Sequence, residues 1–418
     1  FDPTSETTEL SAHEPEHVEA DGDDLSIDVE FEGAEVPPET WRPSTGTMKV
    51  DGSRIVKAHA VAPSTPRSTG ARATDTEPPP TLEDHVEVPM FPGDVPAQGK
   101  TCGRYRLRSE IAMGGMATLF LARQDGPGGF EKIVALKRIH ESLLDDEQFI
   151  EMFLDEARIA SRITHPNVCS VLDFGEADGN YFLAMEYLLG QPLSAIRRRL
   201  AADPLLAARS FGPLLRIVAD AAEGLHAAHE LTSEDGEPMN VVHRDIAPPN
   251  LFVTFDGNTK VLDFGIAKAA GRIHKTSTGV LKGHLPYMSP EQFTGAPIDR
   301  RSDVWALGVV LWELVTGQRL FDGSDFQVLK NVTGGEIPTP SSRAAGISPA
   351  VDSLVMKALS RDPSGRHATA REFGRDVNRI LARLPDPIGV AEVGEWLTSL
   401  FSLEKERQLE DLREARRA

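Results

Sequence analysis

Between Tyr105 and Ile139 apolar and polar residues alternate in three runs, Tyr105–Ile111, Thr118–Arg123 and Lys132–Ile139. A period of two buries one set of side chains and leaves the other in water, so three antiparallel strands joined by glycine-containing turns are expected. The period then changes. Across Asp146–Thr164 the apolar residues Phe149, Ile150, Phe153, Leu154 and Ile159 keep helical spacing, which predicts a long helix. Val168–Phe174 and Tyr181–Tyr187 read as two further strands. Beyond Gly190 the helical period dominates, with helices expected over 193–202, 211–231, 302–317, 350–360 and 369–382. The pattern predicts an α+β chain: a small antiparallel lobe with one long helix over 104–186, then a mainly helical lobe over 187–384. The last stretch, 385–418, opens with Val393, Trp396, Leu397, Leu400 and Phe401 and closes in mixed charge. One docked turn followed by a solvated, charged helix is expected there, since the apolar spacing covers too few heptads for a coiled coil.

Composition adds a third region. Residues 1–100 carry a net charge of −14 out of −20 for the whole chain, and 13 of the 30 prolines. Such a segment cannot bury enough apolar surface to offset its chain entropy, so 1–103 is expected to be a disordered, acidic, Pro/Ser/Thr-rich tail. The acidic excess argues against nucleic acid and against an anionic membrane surface as partners, because both need clustered Lys and Arg. No apolar run reaches the roughly 18 residues of a membrane span. Cys102 and Cys169 are too few for a disulfide scaffold and suit a reducing compartment. The first residues lack the basic start and apolar core of a signal peptide, so a cytoplasmic setting is expected.

Three stretches carry chemistry. Between the first two strands lies Ala112-Met113-Gly114-Gly115-Met116-Ala117, a hairpin whose glycines let backbone N–H groups approach phosphate with no Cβ in the way. The third strand holds Val134-Ala135-Leu136-Lys137, and alternation places Ala135 and Lys137 on one face. A lysine there needs a counter-charge, which Glu156 on the following helix offers. The stretch His243-Arg244-Asp245-Ile246-Ala247-Pro248-Pro249-Asn250 is followed, thirteen residues later, by Asp263-Phe264-Gly265. Acids and an amide carbonyl on loops form a hard oxygen site for Mg²⁺ beside a nucleotide. One further acid is left to accept a proton.

In this order and spacing, with Ser289-Pro290-Glu291 following, the chain resembles the eukaryotic-like (Hanks-type) protein kinases, most closely the bacterial serine/threonine branch, over about residues 104–384. The resemblance implies a bilobal kinase fold and ATP-dependent, Mg²⁺-dependent transfer of phosphate to Ser/Thr hydroxyls of protein substrates. It implies Asp245 as base, Lys137 on the α/β-phosphates and paired with Glu156, and Asn250 and Asp263 as metal ligands. Ile111 to Ala117 would cover the nucleotide. Met185 would be the gatekeeper, with the backbone of Glu186 and Leu188 meeting adenine, and Leu119, Ala135 and Phe252 would enclose the ring. Glu291 and Arg366 resemble a buried ion pair beneath the activation segment, Asp303 a brace for the catalytic loop, and His243 a structural prop. Phosphorylation at Thr276, Ser277 or Thr278, paired with Arg244 and made in trans by a second copy of the chain, is also implied.

The chain departs from the family at four positions. Ala112 and Ala117 replace the outer glycines, from which a stiffer phosphate clamp is expected. Ala247 and His284 replace a lysine and a threonine that adjoin the catalytic aspartate in the family, and losing both leaves no orphaned partner. These departures motivate a second reading, a pseudokinase-type nucleotide-binding scaffold. The presence of Lys137, Glu156, Asp245, Asn250 and Asp263 favours the active enzyme. Thr232–Asn240, a polar insertion, is expected to be a surface loop.

Overall fold

The structure is a computed structural model that describes residues 100–264 and 284–417, apart from the side chains of Gln148 and Ala208. Residues 1–99 of the expected tail and the activation-loop positions Thr276, Ser277 and Thr278 lie outside the described residues, while Thr101 and Cys102, at the expected tail's end, already pair into the first strand. The small lobe is an antiparallel sheet of β1 (Thr101–Cys102), β2 (Tyr105–Met113), β3 (Ala117–Asp125), β4 (Glu131–Ile139), β5 (Val171–Ala177) and β6 (Asn180–Glu186), in the order β1-β2-β3-β4-β6-β5. One core of this lobe gathers Tyr105, Leu107, Phe120, Val134, Leu136 and Phe182. Helix α1 (Glu147–Arg162) is capped by Asp146, whose side chain accepts from Phe149 N, and it packs Phe153 and Ala157 against Ile139 and Leu183.

The large lobe begins with β7 (Gly190–Pro192), α2 (Leu193–Ala201), α3 (Pro204–Arg209) and α4 (Phe211–His229). A three-stranded sheet follows from β7, β8 (Leu251–Thr254) and β9 (Thr259–Val261). Then come α5 (Pro290–Thr294), α6 (Arg301–Thr316), α7 (Asp325–Gly334), α8 (Pro349–Ala358) and α9 (Ala370–Leu381). Helix α6 is apolar almost all round, as a helix at the centre of a core must be. Trp305, Leu307, Val309, Val310, Leu311 and Trp312 are all buried. The insertion at 232–240 forms a small exposed turn closed by a Thr232–Pro238 bridge. Among the described residues no helix is long and apolar enough to cross a membrane.

The C-terminal stretch departs from its expectation. It forms two helices, α10 (Val390–Leu400) and α11 (Ser402–Arg417), and α11 is docked rather than solvated. Its Gln408 side chain is buried and pairs with both backbone groups of Gly190: Gly190 N donates to Oε1 at 3.1 Å, and Nε2 donates to Gly190 O at 3.0 Å. Further on, Arg123 of β3 donates to the Arg416 carbonyl at 2.7 Å. The helix therefore fastens the segment that joins the lobes to the small sheet itself. Gly190 is required here, because a Cβ would fall 2.0 Å from the Val253 carbonyl oxygen.

Beneath the segment leading to α5, Arg366 makes a bidentate pair with Glu291, Nη1 to Oε1 at 2.6 Å and Nη2 to Oε2 at 2.8 Å, while Ser302 Oγ donates to Oε1 at 2.6 Å. The guanidinium also stacks over Trp305. Both charges are buried, so removing one strands the other. Arg366→Ala is expected to cost about 3–5 kcal/mol in a denaturant-unfolding measurement; a loss below about 1 kcal/mol would show the pair to be peripheral.

Candidate active site

The loop after α4 carries His243-Arg244-Asp245, and Arg244 adopts φ +65, a left-handed conformation that a non-glycine residue holds only under constraint. Asp303, at the start of α6, supplies the constraint. Its Oδ2 accepts from His243 N and its Oδ1 from Arg244 N, each at 2.8 Å, and His229 Nε2 donates to Oδ2 at 2.7 Å. Gln292 Nε2 adds a bond to the Arg244 carbonyl at 3.0 Å. Burial alone would raise the Asp303 carboxyl, but the His229 bond, the His229 and His243 rings and the loop N–H hold it below the usual range. His243 donates from Nε2 to the Leu262 carbonyl at 2.8 Å and accepts at Nδ1 from Asp245 N at 3.3 Å. That pattern needs the neutral ring, and burial lowers its pKa accordingly. His243 is thus fixed between two backbone groups.

Asp245 is held from two sides. Asn250, in the tight turn Pro248–Asn250, donates from Nδ2 to the Asp245 carbonyl at 2.8 Å and to its Oδ2 at 3.0 Å. His284 approaches Oδ1 through Nδ1 at 3.1 Å. Of the two positions that differ from the family here, Ala247 and His284, it is the His284 ring that reaches the aspartate. Leu262 N donates to Asn250 O at 2.9 Å, which ties the loop to the strand end that carries Asp263.

Lys137 reaches across from β4. Its Nζ donates to Asp263 Oδ1 at 2.9 Å. Burial would lower the lysine pKa, yet Asp263, then Glu156 and Asp245, raise it well above the ordinary value, so the ammonium stays charged. Lys137 forms an ion pair with Asp263 in this structure, and Glu156 also acts on the lysine as a carboxylate. Asp263, like Arg244, has a positive φ, +44.

The hairpin between β2 and β3 is closed by Gly114 N donating to Ala117 O at 2.9 Å. Ala112 and Ala117 lie in extended strands with negative φ, so the expected stiffening from a left-handed requirement does not arise. Neither Gly114 nor Gly115 needs positive φ, and a Cβ on Gly115 would meet nothing within 4 Å. Packing does not call for these glycines; what they supply is uncovered backbone. Met113 and Met116 are exposed beside them.

Across the sheet Ala135 stands opposite Met185, Lys137 opposite both Leu119 and Leu183, and Val134 opposite Glu186. Glu186 is pinned by its side chain: Oε1 accepts from Lys260 Nζ at 2.7 Å and from Ser170 N at 2.8 Å. Phe252 lies in β8 of the other lobe, opposite Pro192 and Lys260. Among the described residues no group of three or more His, Cys, Asp or Glu is placed to hold a metal ion. Asn250 and Asp263 are instead two hard oxygen donors, a set that suits a cation whose other ligands come from phosphate and water. The amide nitrogen of Asn250 is committed to Asp245, which leaves its carbonyl oxygen for such a cation. Lys260, Gln292 and Gln408 were not singled out as contacts of this region by the sequence pattern; each is polar and acts through side-chain hydrogen bonds, which leave no periodic trace.

The family described as Protein kinase domain matches residues 105–375. The chain is 41% identical over 307 residues to the tyrosine-protein kinase MasK of Myxococcus xanthus, covering 72% of this chain and 47% of that protein. It is 40% identical over 297 residues to the serine/threonine-protein kinase pkn3 of the same species, covering 68% and 51%. It is 33% identical over 310 residues to the serine/threonine-protein kinase PrkC of Bacillus subtilis, covering 73% and 45%. The crystal structure of the Mycobacterium tuberculosis PknI kinase domain superposes with a TM-score of 0.50 at 26% identity, over 68% of this chain and 99% of that one. The chain belongs to the protein kinase domain family. It spans about half the length of the curated relatives it matches.

Glu291 and Asp303 both titrate below the ordinary carboxylate range, Glu291 because the Arg366 and Ser302 hydrogen bonds outweigh its burial. Their ionised forms add stability that is complete above roughly pH 5 and is lost as pH falls through the lowered folded values. Acid unfolding followed by circular dichroism should show this loss, and Asp303→Asn should flatten it while lowering stability at pH 7 by about 1–3 kcal/mol. An unchanged acid slope in that variant would remove Asp303 from the account.

Proposed function

We propose that this chain is an active protein kinase that transfers the γ-phosphoryl group of ATP, with Mg²⁺, to Ser/Thr hydroxyls of proteins. The observation that carries the reading is the meeting of Lys137, Asp263, Asn250 and Asp245, from β4, the end of β9 and the loop after α4, around one cleft. One ammonium there faces three carboxylates. A triphosphate adds further negative charge, so it must enter accompanied by cations. Mg²⁺, when bound, neutralises that charge, and the nucleotide supplies the phosphoryl group.

The chain's own residues supply position and field. Lys137 holds a fixed positive charge for phosphate oxygens. Gly114 and Gly115 present bare backbone to the same group. Ala135 and Met185 offer an apolar wall for the base, with Phe252 from the other lobe. Asp245, oriented by Asn250, accepts the proton of the acceptor hydroxyl. The segment at Tyr287 forms a firm platform for a polypeptide, because the Tyr287 hydroxyl donates to buried Glu313 at 2.7 Å and receives Arg197 at 3.0 Å and Arg319 at 2.6 Å. Relatives named as serine/threonine kinases support the acceptor class. Two free, buried cysteines are compatible with a cytoplasmic setting. Trans-autophosphorylation by a second copy belongs to the same reading.

The test is transfer from radiolabelled ATP to a generic protein substrate by the full chain. Asp245→Asn should lower the rate by about 10²–10⁴-fold while nucleotide still binds, and Lys137→Met should also abolish turnover. Wild-type rates in Asp245→Asn would overturn the assignment.

Acid hydrolysis of the labelled product should yield phosphoserine and phosphothreonine. Phosphotyrosine as the main product would move the acceptor class to tyrosine, the class in the name of the Myxococcus relative MasK.

A further inference from the structure

We infer that His284 is a positioning residue for the candidate base, a role that rests on the kinase reading above. Its Nδ1 lies 3.1 Å from Asp245 Oδ1, and the aspartate side chain is only 10% exposed. A carboxylate can only accept, so Nδ1 carries the proton and donates. Asn250 takes the other oxygen, Oδ2, at 3.0 Å. The two donors come from different elements and grip opposite oxygens, so together they fix both the tilt and the rotation of the carboxylate plane.

The backbone that carries the ring is held in place. The His284 carbonyl accepts from Tyr287 N at 2.9 Å, heading the short turn Leu285–Tyr287. Leu285 and Tyr287 are buried, and Tyr287 is anchored on Glu313. Within the catalytic loop, the position two residues after Asp245 brings only the methyl group of Ala247, itself fully buried. The donor to Oδ1 therefore arrives from the substrate-platform side of the cleft rather than from the loop that carries the base. The orientation of Asp245 is in this way tied to the placement of the segment that would receive the substrate.

The test compares His284→Ala and His284→Asn with wild type in steady-state transfer to one protein substrate, alongside Asp245→Asn. The asparagine amide nitrogen can stand where Nδ1 stands and donate the same bond. His284→Ala should lower kcat by about 10–100-fold, the scale of a misoriented catalytic group, with the nucleotide KM within about two-fold of wild type. His284→Asn should restore most of the lost kcat. If the alanine variant keeps the wild-type kcat, or if alanine and asparagine fall equally while circular dichroism shows both folded, the positioning role is wrong although the kinase reading stands. If wild type transfers no phosphate, or Asp245→Asn transfers as fast as wild type, the kinase reading fails and this inference fails with it.

Discussion

The geometry of the site depends on one buried carboxylate. Asp303 accepts two consecutive backbone N–H groups, of His243 and Arg244, and the ring of His229. A buried carboxylate with no partners would cost several kcal/mol and would be driven to protonate. With three donors it stays ionised and becomes a rigid acceptor. Its two oxygens take successive amides, which is possible only if the chain turns sharply between them. The left-handed φ of Arg244 provides that turn, and the strain, of order 1–3 kcal/mol, is offset by the charge-assisted bonds that demand it. Because Asp303 sits at the first turn of the buried helix α6, the position of Asp245 is inherited from the core of the large lobe.

A second set of contacts fixes the connection between the lobes. Lys260 of β9 holds the side chain of Glu186, at the end of β6, and Gln408 of α11 holds both backbone groups of Gly190. Between them, burial and the Asp411 carboxylate push the Tyr187 hydroxyl up to about 12, so the ring stays neutral and packed. The connecting segment is thus bound on one side by the large-lobe sheet and on the other by the C-terminal helix, while Arg123 ties that helix to β3.

How much of this was legible in the sequence follows from which forces leave a periodic trace. The strands β2 to β6 and helices α1, α4, α6, α8 and α9 bury apolar faces, and alternation or helical spacing announced each of them to within a few residues. Helix α11 was misjudged because it docks through an amide, Gln408, and a small residue, Ala415, while Leu403 remains exposed. A face of that kind carries no hydrophobic signature. Short α3, α5 and α7 escaped for a related reason: their ends are set by Asp203, Ser289 and Ser324 caps more than by apolar periodicity. At the site, residue identity and order were readable, whereas pairing was not. Lys137 has three acids within influence, and only the fold places its hydrogen bond to Asp263.

His284 shows the same limit from the opposite direction. As a letter in the sequence it marks a missing threonine, and the natural deduction from two simultaneous losses is a site with nothing left to satisfy. In space the imidazole is longer than the side chain it replaces and reaches the carboxylate that Ala247 cannot. A lysine reaching from within the catalytic loop would bring a permanent charge against Asp245 and stabilise its ionised form strongly. The imidazole N–H meets the carboxylate with a directed hydrogen bond. The contact on Asp245 Oδ1 thus comes from the segment anchored at Tyr287 and Glu313 rather than from the loop that carries Asp245.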